Sequence, residues 1–282
     1  MRKRVFETSD ISSLYQPKKF FVLDFILTWV PLWTAVVGLS AGWFEFDYLF
    51  MGVAGMSAVP IALYMFYSSR NKALIRDFWA RVLRPDLISP RWWLVLLLFV
   101  PAVMSVAVLL STMFGGSLEQ FVPSERLVTA PLAMIVLVLV FGPLPEELGW
   151  HGYGIDSLRS RMNGFWTSMV FGMIWPIWHI PMFFIENSYQ QALLAMPVPL
   201  FFYLFGMIPQ AVIMNWIYWH TGRSVLSAII LHFMINFVGE GFQITQQSKS
   251  IAGVLFFAAA AVIIYVDKDT FWRKRCAYKL QS

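Results

Sequence analysis

Eight long apolar runs constrain this chain more than any other feature. They cover roughly residues 20–42, 47–67, 92–114, 127–149, 164–185, 191–219, 224–242 and 250–266. About 20 apolar residues of helix cross a bilayer core. Of the 282 residues, 59% are hydrophobic and 13% charged, against about 25% charged in soluble domains. The fold class that follows is all-α: a polytopic membrane helix bundle of about eight spans. The sixth run is long enough to be tilted or broken, and Pro197, Pro199 and Pro209 favour a break. Pro143, Pro145, Pro176 and Pro181 interrupt the fourth and fifth runs.

Charge gives the expected orientation. With the N-terminus in the cytoplasm, every Lys and Arg except Arg126 and Lys249 falls on the inner side, as the positive-inside rule requires. Both termini are then cytoplasmic. The net charge of +5 reports this asymmetry and attraction to anionic lipid, and no nucleic-acid partner is expected. The 68–91 loop reads as an amphipathic interfacial helix carrying Phe78, Trp79, Val82 and Leu83. A cleaved signal peptide is not expected. Cys276 is the single cysteine, which leaves no intrachain disulfide or cysteine-based metal cluster. One integrated membrane domain is expected. Residues 1–126 give N-terminal spans and the basic loop, 127–240 the functional core, and 241–282 the last span and a basic tail.

Three polar stretches interrupt the apolar runs. They are Pro145-Glu146-Glu147-Leu148-Gly149-Trp150-His151, Trp175-Pro176-Ile177-Trp178-His179 and His232-Phe233-Met234-Ile235-Asn236. A charge at mid-bilayer costs about 2.5–3.5 kcal/mol on insertion scales, so such groups usually face a protein interior or wet cavity. Pro145 suits the first position of a new helical segment after Gly142-Pro143. Glu146 and Glu147 are then either ordinary first-turn charges or a general base and its support. Adjacent helical side chains diverge by about 100°, so one carboxylate can face a cavity while the other holds a structural partner. His179 shares a helix face with Trp175, and His232 with Asn236. Each imidazole is either an interhelical hydrogen bond or part of a site. A Glu, two His and an Asn together can activate water and stabilise an oxyanion. Glu146, His179 and His232 are also an alternative zinc set, although no HExxH motif is present. Asp24, Glu45, Asp47, Glu186 and Glu240 fall near span ends and require no function.

These three stretches, in this order and each on its own span, resemble the EExxxR, FxxxH and HxxxN boxes of the CPBP family. Its members are CAAX-protease and bacteriocin-processing intramembrane proteases, also called Abi proteins. The resemblance covers roughly residues 127–240. It implies an eight-helix bundle with a cavity open to the cytoplasm and peptide-bond hydrolysis in or near the membrane. It implies Glu146 as general base, Glu147 as its support, His179 as a water-positioning group, and His232 with Asn236 as the oxyanion hole, without a cofactor. The implied substrates are membrane-associated, lipidated or apolar peptides. Short loops point to a bacterial inner membrane. Two residues depart from the boxes. His151 stands for the arginine and Trp175 for the phenylalanine. An arginine is always charged, whereas histidine has an ordinary pKa of about 6.5, so support from His151 would depend on pH. A catalytically silent scaffold or immunity protein is the remaining alternative.

Overall fold

The computed structural model describes residues 13–43, 48–273 and 280–281. Arg2, Lys3, Arg4, Glu45, Asp47, Lys274, Arg275, Cys276 and Lys279 lie outside the described residues. All named elements are helical. Six segments among the described residues are long and apolar enough to cross a membrane: Pro17–Ser40, Pro90–Phe114, Pro131–Arg159, Gly164–Phe184, Pro197–His220 and Gln246–Val266.

The elements that build the site are α1 (Pro17–Ser40), α2 (Tyr48–Gly55), α3 (Ala58–Ser68), α4 (Lys72–Leu83), α5 (Pro90–Ser111), α6 (Pro131–Val140), α7 (Pro143–Gly149), α8 (Ile155–Arg159), α9 (Gly164–Trp178), α10 (Pro197–His220), α11 (Val225–Gly241) and α12 (Gln246–Val266). Their starts follow local rules. Pro17, Pro90, Pro131, Pro143 and Pro197 occupy first helical positions, where a missing N–H costs nothing. Asn71, Asn163 and Thr245 cap α4, α9 and α12 through side-chain oxygens.

Several expected boundaries move. The 47–67 run is two helices, α2 and α3. The long sixth run breaks before Pro197, and Pro209 lies inside the continuous α10. The fourth run does not end at 149. A π-helical turn at Trp150–Gly154 joins α7 to α8, and residues 150–160 are buried. Glu146 therefore stands near the middle of the Pro131–Arg159 span, not at its inner edge. Glycines allow this segment to sit deep. A Cβ at Gly149 would lie 2.2 Å from Cβ of Ala58, and one at Gly152 would lie 2.9 Å from the Phe78 ring.

The 72–83 helix also differs from expectation. Leu74, Asp77, Phe78 and Arg81 are buried, and only Trp79 and Leu83 of the expected apolar face are exposed. Its inward face carries charge because four charged groups meet at this end of the bundle. Arg81 donates to Asp77 Oδ2 (2.8 Å), the Tyr218 hydroxyl (2.7 Å) and the carbonyl of Gly152 (2.9 Å). Arg223 donates to Asp77 Oδ2 (3.0 Å) and pairs with Asp156. The Gln281 N–H donates to Asp77 Oδ1 (2.8 Å), bringing the C-terminal chain onto the cluster. Burial pushes the Asp77 carboxyl up, but Arg81 and Arg223 outweigh it and hold it below its usual range.

The two ends of the bundle are chemically distinct. The end that holds this cluster also carries Arg70 between α3 and α4, Lys72 and Arg76 in the first half of α4, and Arg161 between α8 and α9. The opposite end joins Ser124 to Gly241 through a backbone hydrogen bond of 2.8 Å and carries Arg126 and Lys249.

Two outcomes follow. Replacing Arg81 by Met leaves two buried carboxylates sharing Arg223 as their one arginine partner and should cost about 3–5 kcal/mol, read as a lower thermal midpoint in detergent. Arg84→Met, at the exposed Arg84–Asp86 pair (2.7 Å), should leave the midpoint unchanged. The Asp77 contribution is present above the ordinary carboxylate pKa of about 3.9 and disappears as pH falls through its depressed value. Second, single cysteines at exposed Arg76 and Glu125 in a Cys276→Ser background should report from opposite membrane faces. An impermeant maleimide should label one in intact cells and the other only after permeabilisation; equal labelling would contradict the fold.

Candidate active site

Helix α7 starts at Pro143, so Pro145 is its third residue and Glu146 and Glu147 lie in its first turns. The two side chains separate as adjacent helical residues must. Glu146 faces a cavity of about 760 Å3, and His179, His232, Asn236 and Trp175 line the same cavity. Glu146 is 6% exposed, and its Oε2 has no hydrogen-bond partner. His232 Nδ1 stands 3.9 Å from that oxygen. Gly142 lies beside both Asn236 and Glu146. A Cβ there would meet both Asn236 Nδ2 (3.6 Å) and Glu146 Oε1 (4.0 Å).

Glu147 turns into the protein and is fully buried. One oxygen takes the Nδ1 of His232 at 2.8 Å, and the other pairs with the Nδ1 of His151. His151 Nε2 lies 3.0 Å from the Asn215 side-chain oxygen, and the Asn215 amide donates to Ser168 Oγ at 3.0 Å. Ser168 in turn donates to the Gly164 carbonyl at 3.0 Å. This chain has one consistent reading. Ser168 spends its proton on the carbonyl, so it accepts from the Asn215 amide, and the Asn215 oxygen then faces His151. His151 Nε2 must carry a hydrogen. A proton also lies between His151 Nδ1 and Glu147, since two lone pairs would otherwise face each other.

The same reasoning fixes the cavity imidazoles. His232 Nδ1 donates to the Glu147 carboxylate, and His179 Nδ1 donates to the Trp175 carbonyl at 2.9 Å. In the neutral ring the other nitrogen, Nε2, is then an acceptor. His232 can offer a hydrogen to an oxyanion only when it is protonated, whereas the Asn236 amide can do so in any state. Helix α9 ends at Trp178, and the chain turns at His179 into the short 3-10 helix Ile180–Phe184. Trp175 packs edge-on against the His232 ring at 5.0 Å.

Four residues escape a reading of the boxes alone. Asp24, read as a span-end charge, is fully buried and accepts from the Trp150 indole N–H (3.1 Å) and Ser57 Oγ (2.9 Å). It thus holds the back of the segment that carries Glu146 and Glu147. Asn215 and Ser168 complete the hydrogen-bond chain behind His151. An amide inside the apolar 191–219 run was the one available signal for Asn215. Glu240, also read as a span-end charge, lines the cavity together with Glu125, Arg126 and Lys249. The cavity therefore reaches the end of the bundle away from the basic loops. An orientation with those loops in the cytoplasm and one with the cavity open to the cytoplasm exclude one another. Among the described residues, no three His, Cys, Asp or Glu side chains stand close enough to hold a metal ion, so Glu146, His179 and His232 are not gathered as a ligand set.

The family model described as "Type II CAAX prenyl endopeptidase Rce1-like" matches residues 128–238. The chain is 35% identical over 265 residues to CAAX prenyl protease 2 of Methanococcus maripaludis, an alignment spanning 92% of this chain and 97% of that relative. A chain matched over nearly its whole length, with all three boxes facing one membrane-embedded cavity, belongs to the CAAX prenyl protease family of intramembrane endopeptidases.

Proposed function

We propose that this chain hydrolyses peptide bonds of membrane-associated, lipidated or apolar peptides, with Glu146 activating the attacking water. The observation that carries this reading is that Glu146 lines the cavity beside His179, His232 and Asn236 while one of its carboxyl oxygens, Oε2, has no hydrogen-bond partner. Water held between Glu146 and the His179 Nε2 acceptor loses a proton to Glu146 as its oxygen bonds the peptide carbonyl carbon. The carbonyl oxygen becomes an oxyanion and accepts from the Asn236 amide, and from His232 when that ring is protonated. Collapse re-forms the carbonyl and breaks the C–N bond, and Glu146 returns its proton to the leaving amine. Glu147 acts through His232, keeping the ring turned so that Nε2 faces the substrate. No step requires a metal ion.

The name of the Methanococcus maripaludis relative, CAAX prenyl protease 2, supports a prenylated protein as substrate. The reading places the protein in a prokaryotic plasma membrane. Short loops favour a bacterial one, and the matched relative is archaeal.

The test is cleavage of a quenched lipidated peptide by purified protein. Glu146→Gln should lower kcat about 100-fold or more with the thermal midpoint retained, and turnover at the wild-type rate would remove Glu146 as the base. Chelation should leave the rate as it was; a stoichiometric metal whose removal stops cleavage would favour the zinc version. A second outcome concerns His151. His151 holds one of the two Glu147 oxygens, so His151→Ala should lower kcat about tenfold or more, and His151→Gln, which can still offer an N–H to Glu147, should recover part of the loss. An unchanged kcat in His151→Ala would show that His151 does not support the site.

A further inference from the structure

Helix α10 turns one stripe of side chains toward the cavity. Tyr203, Met207 and Gln210 recur at intervals of four and three residues, which puts them on one helical face, and all three line the cavity. Phe201 and Phe205 are exposed on another face. Tyr203 is held at both its ring and its hydroxyl. The ring packs edge-on against His179 (6.1 Å between ring centres) and Phe183 (5.7 Å). The hydroxyl oxygen accepts from the Gln190 amide at 3.0 Å, and Gln190 belongs to the short helix Tyr189–Leu193. A phenol that accepts in this way keeps its own hydrogen for another acceptor. No such acceptor is found among the described residues. The Glu146 carboxylate lies within electrostatic reach of the hydroxyl.

The surroundings of Glu146 are rich in acceptors. Nδ1 of His179 and Nδ1 of His232 both donate to the protein, so each neutral ring offers a lone pair at Nε2. We propose that Tyr203 is a further catalytic residue whose hydroxyl donates its hydrogen to the attacking water. This rests on the reading of Glu146 as the base. Water has two hydrogens and two lone pairs. Glu146 and His179 Nε2 take the hydrogens, and Tyr203 engages one lone pair. The remaining lone pair is left to bond the peptide carbonyl carbon. Three held corners of a tetrahedron fix the direction of the fourth, which is how orientation lowers a barrier. A phenol with an ordinary pKa of about 10 carries its hydrogen at neutral pH, so this contact needs no charged histidine. Tyr203 keeps that hydrogen through the step, and the proton lost by the water goes to Glu146. The ring stands against His179 rather than against His232 or Asn236, which assigns the hydroxyl to the water and not to the oxyanion.

The experiment uses the full-length protein in a neutral detergent with a quenched lipidated peptide. A second peptide carries a thioamide at the cleaved bond, whose sulfur is a poor hydrogen-bond acceptor. Tyr203→Phe keeps the ring contacts and should lower kcat about tenfold or more. KM should stay within about twofold, as for a contact made only on the way to the transition state, and the thermal midpoint should be retained. Gln190→Leu should lower kcat in wild type and have no further effect in Tyr203→Phe, because its amide acts through the missing hydroxyl. Gln190→Leu leaves Tyr203 in place, so it tests the hydroxyl even where Tyr203→Phe is unstable. An unchanged kcat in Tyr203→Phe, a rise in KM alone, or equal effects of Gln190→Leu in both backgrounds would overturn the assignment. The loss in Tyr203→Phe should persist on the thioamide. Its disappearance there would give the hydroxyl to the oxyanion and overturn the water as its partner. Cleavage that persists in Glu146→Gln would fail the reading of Glu146 itself. Glu146-dependent cleavage at full rate in Tyr203→Phe would fail only the role of Tyr203.

Discussion

The clamp on Glu147 is the contact on which the rest of the site depends. Burying a carboxylate is costly unless its oxygens are paired, and each oxygen of Glu147 meets an imidazole. One imidazole, His151, comes from the same helical segment, and the other, His232, comes from α11. The clamp therefore ties the helix that carries Glu146 to the helix that carries Asn236. It also decides which nitrogen of His232 faces the cavity, and so whether that ring receives or gives a hydrogen there.

The clamp is reinforced from behind by two separate polar systems. On one side, Asn215 and Ser168 pass the His151 contact across α10 and α9 to a backbone carbonyl. On another, the carbonyl of His151 accepts from Arg81 Nη1 (3.2 Å) and the Tyr218 hydroxyl (3.0 Å). The π-helical turn at Trp150–Gly154 frees such carbonyls from the regular helical ladder. The charge cluster of Asp77, Arg81, Asp156 and Arg223 is thus linked by hydrogen bonds to the segment that carries Glu146 and Glu147. Asp24, through the Trp150 indole, fixes a third side.

Much of this was legible in the amino-acid sequence because membrane-buried charge is scarce. Glu146, Glu147, His179 and His232 stand out against apolar runs, and their spacing matches three family boxes. The 100° divergence of neighbouring helical side chains anticipated different surroundings for the two glutamates. Other features were hidden for physical reasons. Hydropathy marks apolar stretches but not where a helix stops, so the buried continuation from Trp150 to Arg159 read as a loop. Charge counting treats every arginine alike, yet Arg81 and Arg223 are interior residues paired with carboxylates. Asp24 lies only a few residues inside the first run, and its partners Ser57 and Trp150 are distant in sequence. The direction in which the cavity opens depends on which half of each helix lines it, and composition carries no trace of that.

A water-accessible hollow that reaches the middle of a bilayer poses a hazard unrelated to catalysis, since any through-path would leak ions. Here the buried rings of Trp150, Phe171 and Trp175 pack on one another, with Trp175 in the wall of the hollow itself. The buried Asp77–Arg81–Asp156–Arg223 cluster fills the end of the bundle that carries the basic loops. Packed rings and paired charges, among the described residues, are what oppose a leak toward that end.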